Sequence, residues 1–433
     1  MKESLLQYIQ ACPTAYHAVA HTAALLEEAG ICRLERGCAP RPGKSYYTVR
    51  NGSSLIAFSL PMTREITSFR ITAAHGDSPS FKIKENAELC DGRTLRLSVE
   101  KYGGMLCATW MDRPLSVAGR VTVRTETGLA VRNVDLMTPM AVIPSVAIHM
   151  NRNANEGASY NPAVDMLPLC GEASDAGLLR RRIAEELGIS PEDILTTDLF
   201  LYNPDPGMEW SGYVSAPRLD DLQCAYASLS AFMDAETDEN GTAVSVFCLF
   251  DNEEVGSQTK QGAASTFLYD TLSIICESAG VSCGDMAAIL SDSFMVSCDN
   301  AHAVHPNHPE YQDKNHAVFM NGGVVIKYNA NQRYTTDAVS AGIFGLICEE
   351  AGVPVQRYAN RADMMGGSTL GSIANTKVSV NTIDVGLAQL AMHSAYETAG
   401  ARDAEHLTRA LKAFFETELR FDGEGGYTLI KNG

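Results

Sequence analysis

The chain has no run of about 18 consecutive apolar residues, the length that a membrane-crossing helix needs. Its opening Met1-Lys2-Glu3-Ser4 brings an acidic residue early, with no apolar core of signal-peptide length behind it. The expectation is a soluble, untargeted protein of the cytoplasm, away from any membrane. Positive charge is also scarce: 34 Lys and Arg stand against 52 Asp and Glu, a formal net charge of −18. Nucleic acids and anionic lipids are bound through a basic footprint that this composition does not supply, and an acidic substrate would need a local cation. The twelve cysteines include no Cys-x-x-Cys pair, and several sit in apolar contexts such as Phe247-Cys248-Leu249. They read as small buried hydrophobes in a reducing compartment, not as a disulfide frame or zinc ribbon. The six-residue spacing of a phosphate-binding P-loop is missing, as are internal repeats and low-complexity segments.

What is present is a length of 433 residues, which suggests two domains or one large domain carrying an insertion. The chain is organised around VSVFCLFDNEEVGSQTKQG, Val244 to Gly262. Its β-branched and aromatic start reads as a buried strand that stops at Asp251-Asn252-Glu253-Glu254. Ligands bind at strand exits in open α/β sheets, where one glutamate could ligate a cation and its neighbour act as a base. A solvated loop, or a helix start favoured by the dipole, is the alternative.

Other segments repeat this pattern. Residues 3 to about 30 read as two helices broken at Pro13, with His17 and His21 as surface or packed histidines. Ser45 to Leu60 alternates around Asn51-Gly52, a hairpin signal. The strand Phe69 to Ala74 ends on His75-Gly76-Asp77, where the carboxylate could orient a metal-bound imidazole or serve structure alone. Short alternating strands between about 86 and 212 indicate an inserted domain, which contains Ile148-His149-Met150. Asp220-Asp221 precede a helix from Gln223 to Asp234 and could cap it or supply a bridging carboxylate. Met286 to Leu290 is expected as a strand, followed by the ligand-rich Asp299 to His305. Lys327 projects from the strand Gly322 to Tyr328, and the glycine turn around Gly367 could aim free amides at a carbonyl or carboxylate. A helix from Asp384 onward is expected to carry His393 on or near its apolar face.

Taken together, His75, Asp220, Glu254, Asp299 and His393 are two histidines and three carboxylates. That donor set suits two zinc-type ions sharing a carboxylate, with Glu253 as general base for amide hydrolysis.

From AAHGDSPS through VAIHMNRNAN, APRLDDLQ, LFDNEEVGSQTKQGA, SCDNAHAVHPNHPE and VVIKYNANQRY to AMHSAYE, the sequence resembles the M18 aspartyl aminopeptidases, co-catalytic zinc metallopeptidases. The resemblance implies His75, Asp220, Glu254, Asp299 and His393 as ligands, with Asp220 the bridge and the Asp220-Asp221 peptide cis. It implies Asp77 as the partner of His75, Glu253 as base, and His149 as an oxyanion-steadying residue sent into a neighbouring subunit. Lys327 would face an acidic P1 side chain with Tyr334 nearby, and Gly367 would lie against substrate. The implied fold is α/β: a phosphorylase/hydrolase-like three-layer catalytic domain, residues 1–85 and 213–433, with an inserted β-rich dimerisation domain, residues 86–212. Such dimers would build a dodecamer. Zn2+ is expected twice per subunit, with Mn2+ or Co2+ able to fill one site, and the substrate is a peptide with an unblocked N-terminal Asp or Glu. An aminopeptidase preferring neutral residues, and a catalytically silent metal-binding assembly protein, remain as alternatives. The sequence departs modestly from the family pattern at Met365-Gly366-Gly367 and at Asp221, where asparagine is common.

Overall fold

The computed structural model describes residues 3–236, 241–422 and 425–431. Its largest sheet has nine strands. In spatial order they are Cys32–Arg33, Ser45–Arg50, Ser54–Ser59, Ala243–Phe250, Ser68–His75, Phe294–Cys298, Asn381–Gly386, Val324–Tyr328 and Val355–Ala359. The four strands from Ala243–Phe250 to Asn381–Gly386 run parallel to one another. Their residues are buried almost throughout, as expected of strands covered on both faces.

Alternating side chains feed two separate cores. Leu55, Ala57, Phe247 and Leu249 pack with the helices Leu5–Ala11, Ala15–Glu28, Leu219–Asp234, Ala338–Glu350 and Asp403–Phe415. Ile56, Phe58, Val246 and Cys248 pack on the opposite face with Phe267–Ala279, Cys283–Ser291 and Leu370–Ala374. The result is a helix–sheet–helix sandwich, the three-layer α/β arrangement expected.

A second sheet of six strands, all antiparallel, is built from residues 80–202. Together with the helix Leu178–Leu187 it encloses its own core around Phe81, Trp110, Val121 and Leu199. The strand Ser80–Cys90, which spans the expected boundary at residue 86, lies in this sheet. A third sheet, ordered Met208–Trp210, Tyr213–Ala216, Glu397–Gly400, Ala388–Leu390 and Ala301–His302, joins distant parts of the chain beside the exit of the large sheet.

Two sequence expectations are corrected. Met286 to Leu290 lies within the helix Cys283–Ser291, whose Ser282 hydroxyl accepts the Asp285 N–H at 3.2 Å. A five-residue apolar run carries too little periodicity to tell helix from strand, and the Ser-x-x-Asp cap is the signal that decides it. The segment from Asp384 onward is not a helix: Asn381–Gly386 and Ala388–Leu390 are strands, and His393 sits in a turn at φ +67°. Its β-branched start, Thr382-Ile383-Asp384-Val385-Gly386, favours the pleat over the helix.

The Asn51-Gly52 hairpin forms as expected, with Asn51 at φ +59° and Gly52 at +69°. All twelve cysteines are free; Cys12, Cys224, Cys248, Cys276, Cys298 and Cys348 are buried, whereas Cys32, Cys38, Cys90 and Cys283 are exposed. Among the described residues no single helix is long and apolar enough to cross a membrane.

Candidate active site

Strand register brings the acidic and histidine motifs together. Ala243–Phe250 pairs in parallel with Ser68–His75 so that Phe250 stands opposite His75, and both chains leave the sheet at the same level. Phe294–Cys298 flanks the other side of Ser68–His75 and delivers Asp299 to that edge. Asp220 enters from the third sheet, just after Arg218 at φ +58°, and the Asp220-Asp221 peptide is cis. His393 arrives from the turn that follows Ala388–Leu390.

The two oxygens of buried Asp220 face two imidazoles. His75 Nε2 lies 3.7 Å from Asp220 Oδ1 and 4.0 Å from Asp299 Oδ1. His393 Nε2 lies 3.3 Å from Asp220 Oδ2 and 3.5 Å from Glu254 Oε2. Each ring is held from behind: His75 Nδ1 meets the Asp77 carbonyl oxygen at 3.0 Å, and His393 Nδ1 meets that of Gly104 at 2.5 Å. With Nδ1–H donated to a carbonyl, each Nε2 is left facing inward, where it could offer its lone pair once a metal ion displaces its proton. Asp220 Oδ1 and Glu254 Oε1 are buried and lack any hydrogen-bond donor. Orphaned carboxylate oxygens facing imidazole nitrogens fit a divalent cation, and a mixed N/O donor set suits zinc. Among the described residues the potential ligand atoms form three groups, His75 with Asp220, Asp221 and Asp299, His75 with Glu253 and Glu254, and Asp220 with Glu254 and His393.

Asp77 acts mainly through the neighbouring turn. Its Oδ1 accepts the Glu253 N–H at 3.1 Å, and Oδ2 accepts the Glu254 N–H at 3.2 Å and the Tyr102 hydroxyl at 2.7 Å. The carboxylate itself stands 3.5 Å from His75 Nδ1, farther than its own backbone carbonyl. Burial raises Glu253 to about 8, with Asp299, Asp77 and Asp220 adding to the rise and His75 opposing it. Burial, then Asp220, lifts Glu254 well above the usual carboxylate range. On His393, burial opposes the charge, but Asp220 and Glu254 outweigh it and hold the imidazole up to about 10. So many acids in a dry site make a strong demand for positive charge.

Lys327 is 2 % exposed. Its ammonium donates to the Asp299 carbonyl at 2.7 Å and to that of Asn300 at 3.3 Å, stands 3.5 Å from Asp299 Oδ2, and lies 5.1 Å from the centre of the Tyr334 ring. Gly367 is exposed in the glycine turn, which is tied down by Thr369 donating to Asp384 Oδ1 at 2.6 Å. The same Asp384 accepts the Thr335 N–H through Oδ2, next to Tyr334.

His149 is not brought to the cluster: it lies exposed in a turn closed by Asn151 N–H to the Ala147 carbonyl at 3.1 Å, between exposed Ile148 and Met150. His17 pairs with the Thr14 hydroxyl and His21 with Glu3, and neither belongs to the groups of potential ligand atoms. His302 packs edge-on against Tyr358, and His308 bonds Glu310.

Sequence reasoning gave no role to Gly103, Gly104, Tyr102 or Glu397. The first three close the site from the six-stranded sheet, and Gly103, at φ +76°, leaves only 3.2 Å between a hypothetical Cβ and Glu254 Cβ. A Gly-Gly pair after a strand was the available signal.

Comparison with known proteins shows the family to which the chain belongs. Residues 8–415 match the family described as Aminopeptidase I zinc metalloprotease (M18). The chain is 40% identical over 426 residues to a probable M18 family aminopeptidase 2 of Clostridium acetobutylicum, covering 95% of this chain and 98% of that one. A protein of the same description from Pseudomonas aeruginosa is 41% identical over 428 residues, covering 96% and 98%. Among solved structures, the Ape4 and Nbr1 complex aligns with a TM-score of 0.92 at 34% identity, over 95% of this chain and 84% of that one. The S. cerevesiae mApe1 dodecamer aligns at 0.82 and 27% identity, over 95% of each. With nearly the whole chain matched and the imidazoles and carboxylates gathered at one sheet edge, the chain belongs to the M18 family of zinc aminopeptidases.

Proposed function

We propose that this aminopeptidase removes unblocked N-terminal Asp or Glu from peptides at a site for two zinc ions, held by His75, Asp220, Glu254, Asp299 and His393 with Asp220 shared. The observation that carries the reading is the pair of Asp220 oxygens, one 3.7 Å from His75 Nε2 and the other 3.3 Å from His393 Nε2. When bound, zinc supplies Lewis acidity toward a carbonyl oxygen and acidifies water; manganese or cobalt could replace it at one position. Glu253 accepts the proton of the attacking water and returns it to the leaving amine nitrogen. Asp77 holds Glu253 by its backbone N–H and so fixes the direction from which the base works.

Lys327 and Tyr334 are the residues that select the P1 side chain, with the amides of the glycine turn around Gly367 alongside. A buried ammonium attracts a carboxylate strongly because little water screens it. A second reading, preference for neutral residues, is favoured by one observation: Asp299 already neutralises Lys327 at 3.5 Å. Residues 86–212 form the dimerisation domain, through which His149 reaches a neighbouring subunit's oxyanion, and such dimers assemble further. The exposed Val146, Ile148 and Met150 around His149, and the dodecameric state of the mApe1 relative, support that assembly.

The specificity test compares initial rates on Asp-, Glu-, Leu- and Lys-p-nitroanilide for the parent and Lys327→Met. Rapid turnover of Asp and Glu that is lost in the variant, with Leu turnover spared, is expected. Parent turnover confined to Leu establishes the second reading, and no turnover on any substrate with zinc bound leaves a silent assembly protein.

A further inference from the structure

Glu397 is buried, 2 % exposed, and takes no part in the mechanism described above. It opens the strand Glu397–Gly400, opposite Ala216 in the antiparallel pairing with Tyr213–Ala216. Its carboxylate is shared between two backbones: Oε2 accepts the Asp220 N–H at 3.0 Å, and Oε1 accepts the His393 N–H at 2.7 Å. Neither amide lies in a regular element at that point. Asp220 has φ −83° and ψ 109° inside an otherwise helical stretch, and His393 has φ +67° in a turn. Both donors would be left unsatisfied without an acceptor, and one rigid carboxylate supplies it to both.

The consequence is a fixed distance between two residues that are far apart in the chain. Asp220 Oδ2 and His393 Nε2 meet at 3.3 Å on the site side, while Glu397 clamps their backbones from behind. We propose that Glu397 is a positioning residue that sets the spacing of the Asp220 and His393 side chains, and through it the affinity of the site for zinc. This rests on the ligand assignment above.

Glu397→Gln tests it, because glutamine keeps the volume but offers one N–H an amide NH2 instead of an oxygen. Metal-free parent and variant are titrated with zinc against a chromogenic chelator, below the unfolding temperature of both. The parent is expected to take two ions per chain; if it does not, the ligand assignment fails whatever the variant does. With that met, E397Q is expected to bind zinc about 10- to 100-fold more weakly, the usual effect of removing a residue that orients a ligand. Its metal-free unfolding temperature should fall by only a few degrees, the effect of one buried N–H losing its acceptor, so that it is still folded at the titration temperature. Glu397→Asp, which restores both acceptor oxygens on a shorter arm, should fall between the two. If E397Q does not fold, E397D is compared with the parent alone, and weaker zinc binding is again expected. Parent-like zinc affinity in whichever of these variants folds overturns the proposal.

Discussion

Replacing Glu253 with glutamine separates the chemical step from the architecture around it. The substitution changes neither the volume nor the backbone N–H that Asp77 Oδ1 receives at 3.1 Å, so the turn carrying Glu254 keeps its shape. What is lost is the carboxylate that accepts the proton of the attacking water and returns it to the leaving nitrogen. General-base removal costs about 10²- to 10⁴-fold, equivalent to roughly 2.7–5.4 kcal/mol of transition-state stabilisation. The assay is kcat on an Asp-p-nitroanilide substrate with the zinc content of the same preparation measured alongside. The expected result is a kcat lower by that factor, KM within a few-fold of the parent, and unchanged zinc. Because Glu253 also lies in one of the potential ligand groups, two results refute the reasoning. Parent-like kcat removes the base, and loss of zinc makes Glu253 a ligand.

Two further outcomes follow from the charges and the exposed turn. In the metal-free protein, burial raises Asp251 to about 7 and Glu253 and Glu397 to about 8, so the folded chain holds protons that the unfolded chain releases from about pH 4 upward. Stability is therefore lost as pH climbs toward 8, and His393, held up to about 10 by Asp220 and Glu254 against its burial, extends the loss above about 6.5. The Tm of chelated protein should be lower at pH 8 than at pH 5.5, and zinc should restore it; a Tm that rises over that interval contradicts the folded-state charges. His149→Ala should reduce kcat by about 10²- to 10³-fold, the cost of one oxyanion donor, while zinc content and assembly stay intact. Undiminished kcat removes the role given to His149.

Much of the site was legible because the chemistry sits at strand exits. The buried runs before His75, Asp251 and Asp299 end abruptly in polar residues, and parallel register places those ends side by side. The Asn51-Gly52 turn and the strand bearing Lys327 were readable for equally local reasons, turn chemistry and β-branched residues. His393 was misread because the apolar residues of its segment suit a helix by composition, whereas pairing of Ala388–Leu390 with Glu397–Gly400 and with Ala301–His302 decides the outcome. That is tertiary context overriding local propensity. Glu397 and the Gly104 carbonyl escaped for another reason: each acts through a hydrogen bond to a residue distant in sequence or to its backbone, and single-chain periodicity carries no trace of such contacts.

The central claim, a site in which shared Asp220 joins two ions for peptide hydrolysis, is tested most directly by titrating the metal-free protein with zinc while following hydrolysis of Asp-p-nitroanilide. Turnover that rises with zinc, saturates at two ions per chain and vanishes on chelation is the predicted result. Turnover that survives complete chelation, or saturates at a single ion, contradicts it.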